Sequence, residues 1–174
     1  GGATRLLNRM KVETVFVPDY VGTVTEYQSF VDKAAEISKE LTVLEAGSDY
    51  AWTSDDVTFR LLAAEEAYYG KDEENDFSIA LYMQHGENTF LFAGDAEEAR
   101  QIELLSYDLG EVDFLKFPYH GHYLSVTESF LDYFKPSVTI VTCSKNEDAD
   151  ASTIETLENR GIEAYYTKNG DITV

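Results

Sequence analysis

Two side chains able to share a divalent cation stand at the ends of apolar runs in this chain. Asp95 closes Thr89-Phe90-Leu91-Phe92-Ala93-Gly94-Asp95, and His120 follows Phe114-Leu115-Lys116-Phe117-Pro118-Tyr119. Both runs read as buried strands. A carboxylate and an imidazole delivered from neighbouring strand ends can converge on one metal ion, because the strands fix them while the loops leave coordination positions open. His122, two residues past His120, makes a His-Gly-His segment that is by itself a moderate metal signal. Competing readings come with each residue. Gly-Asp after a strand is commonly a turn or a helix cap, here for a helix starting near Ala96, and loop histidines often bond backbone carbonyls.

The elements that position these residues can be read from periodicity. Leu6, Leu7 and Met10 suggest a helix before the short strand Thr14 to Val17, and Thr25 starts an amphipathic helix through Phe30, Val31, Ala34 and Ile37. Strands are expected over 41–44 and 57–62, with Gly47-Ser48-Asp49 as a turn. The acidic stretch 70–76 reads as a solvated loop. Strands 78–83 and 89–93 form a hairpin around His85-Gly86-Glu87-Asn88, with His85 exposed in its turn. Helices over 96–106, 126–134 and 152–159 then alternate with strands 112–117, 138–143 and 163–167. Asn169-Gly170 predicts a closing hairpin with a last strand over 171–174. The sum is an α/β chain, a mixed sheet with helices on one face, organised as a single domain over 1–174.

Composition narrows the function. Thirty-three acidic against 13 basic residues give a formal charge of −20, which repels nucleic acid phosphates and anionic membranes. A polyanionic substrate must then be reached through a bound metal. No apolar run approaches the ~18 residues of a membrane span. The one cysteine, Cys143, excludes an internal disulfide and reads as core filling. The pairs Glu73-Glu74 and Glu97-Glu98 read as solvated faces without a catalytic role.

Several motifs occur in an order that resembles a known family. Asn75-Asp76-Phe77-Ser78 before an apolar strand, then Phe90-Leu91-Phe92-Ala93-Gly94-Asp95, then Leu115-Lys116-Phe117-Pro118-Tyr119-His120-Gly121 resemble the carboxy-terminal half of a metallo-β-lactamase-fold hydrolase of the competence, DNA-uptake type. Lys135-Pro136-Ser137-Val138 and the ending through Ala164-Tyr165-Tyr166-Thr167 and Gly170-Asp171-Ile172 are similar to its final strands, so the likeness covers residues 75–174. It implies part of an αββα sandwich holding one or two metal ions, with zinc, or manganese, activating water against an ester or phosphodiester. By position, Asp95 matches the family aspartate that bridges two metals, and His120 matches the second histidine of a His-His-Gly-Ser segment. Tyr119 replaces the first histidine and His122 stands where the family has Ser. If the metal imidazole belongs to the first position it is absent here; if to the second, His120 keeps it, and Tyr119 or His122 orients substrate or supports the metal ligands.

The family's HxHxDH motif is not found in this sequence. In relatives it precedes a glycine pair and a helix, as in Gly1-Gly2-Ala3-Thr4-Arg5-Leu6-Leu7. The expectation is therefore a carboxy-terminal portion cut just downstream of its main ligands, inactive alone and binding metal weakly. Two other readings stay open: a non-catalytic interaction module with the same fold, and a receiver-like phosphoacceptor domain using Asp19 or Asp95 with Lys116, which requires an all-parallel sheet.

Overall fold

A computed structural model describes residues 2–22, 24–70 and 74–173. The chain opens with a short helix, α1 (Gly2–Leu7), then builds a βαβ unit from β1 (Thr14–Pro18), α2 (Thr25–Ile37) and β2 (Glu40–Leu44). The two strands pair in parallel, Val15 against Leu41 and Val17 against Val43. Alternation in β1 turns Val15 and Val17 inward, where they meet Ala34, Phe30, Val31 and Ile37 of α2 and Leu7 of α1. α2 stops at Ser38, whose N–H and hydroxyl both donate to the Ala34 carbonyl.

A seven-stranded sheet follows in simple chain order. Its strands are β3 (Asp49–Ser54), β4 (Val57–Leu62), β5 (Ala80–His85), β6 (Asn88–Phe92), β7 (Phe114–Lys116), β8 (Val138–Val141) and β9 (Glu163–Tyr166). β3 to β6 are antiparallel neighbours, and β6 to β9 are parallel. The change follows the connections. Tight turns at Asp55-Asp56 and at Gly86, both with a residue at positive φ, reverse the chain, whereas each parallel step needs a helical crossover. Those crossovers are α3 (Glu98–Leu104), α4 (Thr127–Phe134) and α5 (Ala151–Asn159).

The main core lies between this sheet and its helices. Leu62, Leu91, Leu115 and Val141 point from the strands onto Leu104, Phe130, Phe134 and Leu157, all essentially without solvent contact. The opposite sheet face carries Trp52 stacked on Phe59, and Phe90 and Phe92 tilted against Phe114. Phe16 of β1 reaches Tyr50 and Trp52 there, so the βαβ unit packs on this second face.

Three expectations need correction. Residues 49–54 form strand β3, where the sequence suggested a turn followed by no element: Tyr50, Trp52 and Ser54 alternate onto one face opposite Leu61, Phe59 and Val57. Among the described residues the closing hairpin does not form: residues 167–169 make a 3-10 turn, 171–173 join no strand and β9 is the last strand of the sheet, its end tied to the β8 side by the Thr167 hydroxyl, which donates to the Cys143 carbonyl and accepts from the Cys143 N–H. Asp95 is not the cap of α3; buried Asp76 is, accepting from the Glu97 and Arg100 N–H groups. Residues 71–73 of the acidic stretch, Glu73 among them, and Val174 lie outside the described residues.

Candidate functional site

The four parallel strands all end at one edge, and the loops there carry Asp95, Tyr119, His120 and His122. Crevices beyond the carboxyl ends of parallel strands are the usual ligand sites of α/β sheets. Asp95 leaves β6 through Gly94, whose φ of +62° is natural for glycine, and a Cβ at that position would lie 2.9 Å from Ser78 Cβ. The Asp95 N–H donates to Ser78 Oγ at 3.1 Å, which fixes the turn.

His120 leaves β7 by a less usual route. After Pro118 the chain makes a left-handed turn, with φ of +46°, +53° and +85° at Tyr119, His120 and Gly121. Two non-glycine residues in that region are costly, and such conformations persist where the surroundings enforce them. Here the surroundings are close: a Cβ on Gly121 would come within 2.7 Å of both Ala149 and Val141, and the Gly121 carbonyl accepts from Asp150 N–H at 3.0 Å.

The turn aims the imidazole of His120 at Asp95. Nε2 lies 3.5 Å from Asp95 Oδ2, while Nδ1 lies 2.6 Å from the Thr142 carbonyl at the end of β8. A carbonyl only accepts, so Nδ1 carries a hydrogen and Nε2 is the ring nitrogen turned to the Asp95 carboxylate. A proton or a cation between Nε2 and the carboxylate oxygen would join the two groups. The spacing suits a metal: two ligands each about 2.1 Å from a tetrahedral ion lie about 3.4 Å apart. Asp95 and His120 are 41% and 50% exposed, so an ion has access.

Lys116, at the end of β7, completes the group. Its ammonium donates to the Gly94 carbonyl at 2.5 Å and to Asp95 Oδ1 at 3.1 Å. Sequence reading weighed Lys116 only as a phosphate partner; its place beside Asp95 follows from the parallel pairing of Phe92 with Lys116. Ser78 and Thr142 were likewise not assigned roles, the second because it acts through its main chain.

The remaining predicted residues sit farther out. His122 Nδ1 is 3.6 Å from Asp150 Oδ1, and its ring lies 4.8 Å from that of Tyr119. Asp150 also takes the Tyr123 N–H at 2.8 Å, so it pins the loop. His122 thus borders a cleft of about 550 Å³ shared with His120, Thr142, Cys143, Ser144 and Glu147. Cys143 is half-buried, packing partly on the core and partly lining this cleft. On the other side, Asp95 borders a cleft of about 310 Å³ with Tyr20, Tyr27 and Phe77. Burial raises the Tyr27 phenol above its ordinary pKa. The Asp95–His120 pair stands between the two clefts. His85 lies at the opposite sheet edge, exposed and bonded to Asp56 at 3.0 Å.

As a ligand set the pair is incomplete. Among the described residues no group of three or more His, Cys, Asp or Glu side chains is placed to hold a metal ion. Asp95 Oδ2 and His120 Nε2 fit two positions of one ion and leave the others to donors from elsewhere.

Comparison with known proteins agrees with this architecture. No family model matches the chain. It is 25% identical over 179 aligned positions to ComE operon protein 3 of Bacillus subtilis, covering 99% of this chain and 22% of that protein. It is 29% identical over 104 residues to Recombination protein 2 of Haemophilus influenzae, covering 60% of this chain and 13% of that one. The chain therefore spans less than a quarter of the curated relatives it matches. Among solved structures, zinc-bound PqqB from Methylobacterium extorquens superimposes with a TM-score of 0.53 at 10% identity, covering 95% of this chain and 66% of that one. The fold is that of the metallo-β-lactamase superfamily. The sequence likeness, at under 30% identity, is to ComE operon protein 3 and Recombination protein 2. The receiver-like alternative falls, since β3 to β6 are antiparallel.

Proposed function

We propose that this chain is the carboxy-terminal portion of a metal-dependent hydrolase domain, supplying Asp95 and His120 to a metal centre whose other ligands come from the remainder of the protein. The observation that carries this reading is Nε2 of His120 facing Asp95 Oδ2 at 3.5 Å, a spacing compatible with two ligands on one ion. Zinc or manganese, held by Asp95 and His120 together with donors from elsewhere in the protein, would supply a water of lowered pKa and polarise an ester or phosphodiester bond.

The chain's own residues do the positioning. The Thr142 carbonyl holds His120 in the tautomer that presents Nε2. Ser78 and Lys116 hold the Asp95 backbone and carboxylate. Tyr119, at the head of the left-handed turn, stands beside His122 where a phenol can orient substrate or steady a developing oxyanion. The charge of −20 disfavours a polyanion everywhere except at a bound cation, so a phosphodiester is engaged through the metal.

Calorimetric titration with zinc tests the reading on two species: this chain alone and the protein expressed with its upstream coding sequence. Weak or absent binding is expected for the first and tight binding for the second. In the longer protein, Asp95→Ala and His120→Ala are each expected to weaken binding at least ~10-fold. Equal affinity in wild type and both variants would remove these residues from the centre. A second reading, a non-catalytic module of the same fold, is favoured by the Lys116 ammonium already neutralising Asp95; it predicts no stoichiometric metal in the longer protein.

A further inference from the structure

We infer that the cleft on the Asp95 side of the Asp95–His120 pair is a substrate subsite for a flat, uncharged heterocyclic ring carrying N–H donors, held against the rings of Tyr20 and Tyr27. The inference rests on the proposed function and adds a substrate feature to it. The walls of the cleft come from two layers of the fold. Pro18 ends β1, Tyr20 follows it and Tyr27 lies in the first turn of α2, while Glu74, Phe77 and Ser78 belong to the segment before β5. The Tyr20 ring bridges the layers, 4.5 Å from the Phe77 ring at 30° and 5.5 Å from the Tyr27 ring at 58°. Phe77 is itself buried and met edge-on by Tyr69 at 5.1 Å, which gives the wall a fixed back.

Gly22 sets the spacing of the two tyrosines. A Cβ there would lie 2.9 Å from the Tyr20 ring and closer still to that of Tyr27, and the Gly22 carbonyl accepts from Gln28 Nε2 at 2.8 Å. A residue without a side chain is what lets both rings close on this loop. At about 310 Å³ the cleft is at the low end of the ~300–1,000 Å³ of small-molecule sites, room for one ring and not for an extended chain. Aromatic walls favour a flat ring over a puckered one, because offset-stacked and edge-to-face contacts need planar partners. Charge selects further. The described residues that line the cleft include the carboxylates of Glu74 and Asp95 and no Lys, Arg or His, so an anionic group is repelled. The Lys116 ammonium, 3.1 Å from Asp95 Oδ1, already balances that carboxylate, so a cationic ring gains little. Carboxylates only accept hydrogen bonds, and ring N–H groups therefore find partners there.

The test uses the whole protein encoded by the gene, in zinc-free buffer and again with zinc, and takes uracil as the probe because it is flat, uncharged and bears N–H groups. Equilibrium dialysis is expected to show uracil bound more tightly than dihydrouracil, whose ring is puckered, and than 1,3-dimethyluracil, which lacks the N–H groups. Tyr20→Leu and Tyr27→Leu are each expected to lose about 3- to 10-fold in affinity, the worth of an aromatic pair, whereas Tyr20→Phe and Tyr27→Phe keep it. Circular dichroism reports whether each variant is folded. Should a leucine variant fail to fold, uracil-induced shifts of the Tyr20 and Tyr27 ring protons in the wild type carry the test. Equal affinity for all these rings, no shift of those protons, or folded leucine variants that bind as the wild type does overturn the inference. Zinc taken up without any binding of uracil overturns it and leaves the proposed function standing. Uracil bound with the expected preferences and no zinc taken up keeps the ring site and overturns the proposed function.

Discussion

Gly94 decides where Asp95 points. Its backbone has a φ of +62°, and the space a side chain would need is filled by Ser78. Gly94→Ala is expected to cost more than ~1–2 kcal/mol, the penalty of left-handed backbone for alanine with the Ser78 collision added. A lowered urea midpoint at unchanged slope is the measurement, and a midpoint within error of wild type would show that the turn relaxes freely. At this scale the sequence is informative in a particular way. Asp95 and His120 could be picked out because a chemically active residue at the end of an apolar run advertises its position. Ser78 and Thr142 could not, since each matters through a neighbour 17 or 22 residues away. A carbonyl that sets a histidine tautomer has no signature among side chains at all.

Among the elements, α3 depends most on long-range polar contacts. Arg100 is fully buried and donates to the Ser78 carbonyl at 3.0 Å, the Leu62 carbonyl at 2.7 Å and Glu103 at 2.8 Å, while its N–H goes to Asp76. One guanidinium thereby ties β4, the segment before β5, and α3 together. Arg100→Leu leaves the Ser78 and Leu62 carbonyls without this donor and Glu103 with only the Tyr69 hydroxyl and the Glu65 N–H, and a loss of about 3–5 kcal/mol in unfolding free energy is expected from chemical denaturation. A loss below ~1 kcal/mol would mean that water replaces the network. The helices and strands were mostly legible because the core pattern is strong: Leu91, Leu115 and Val141 sit in consecutive parallel strands. β3 escaped notice because its Asp49 and Ser54 look like turn residues, and its alternation is visible only against β4. The terminal Asn-Gly misled in the opposite direction. Residues 167–169 wind into a 3-10 turn instead of the tight reversal that pair suggests, while the Thr167 hydroxyl ties the end of β9 to Cys143 after β8.

For the molecule as a whole, pH has a predictable effect at the alkaline end. Burial raises the phenols of Tyr82, Tyr107 and Tyr166 above the ordinary value near 10, and burial together with the Glu103 carboxylate raises Tyr69 further. Groups with a raised folded-state pKa ionise first in the unfolded chain. Their contribution to stability is complete below about pH 10 and declines as the pH rises above it. Thermal midpoints across pH 8 to 11 are expected to be level and then fall, with absorbance at 295 nm showing a late, cooperative phenolate step that coincides with unfolding. A phenolate titration with no late step would contradict it. The same view separates the sheet into two halves. Strands β6 to β9 deliver their loops to the Asp95 edge, whereas the hairpins at Asp55-Asp56 and Gly86 turn at the other end of the antiparallel half, His85 lying in register with Val57. Five residues of β6 separate Gly86 from the Asp95 edge, about 17 Å of extended chain. That exposed turn is accordingly the place to graft a fluorophore or a purification handle, remote enough to report on the protein without touching its chemistry.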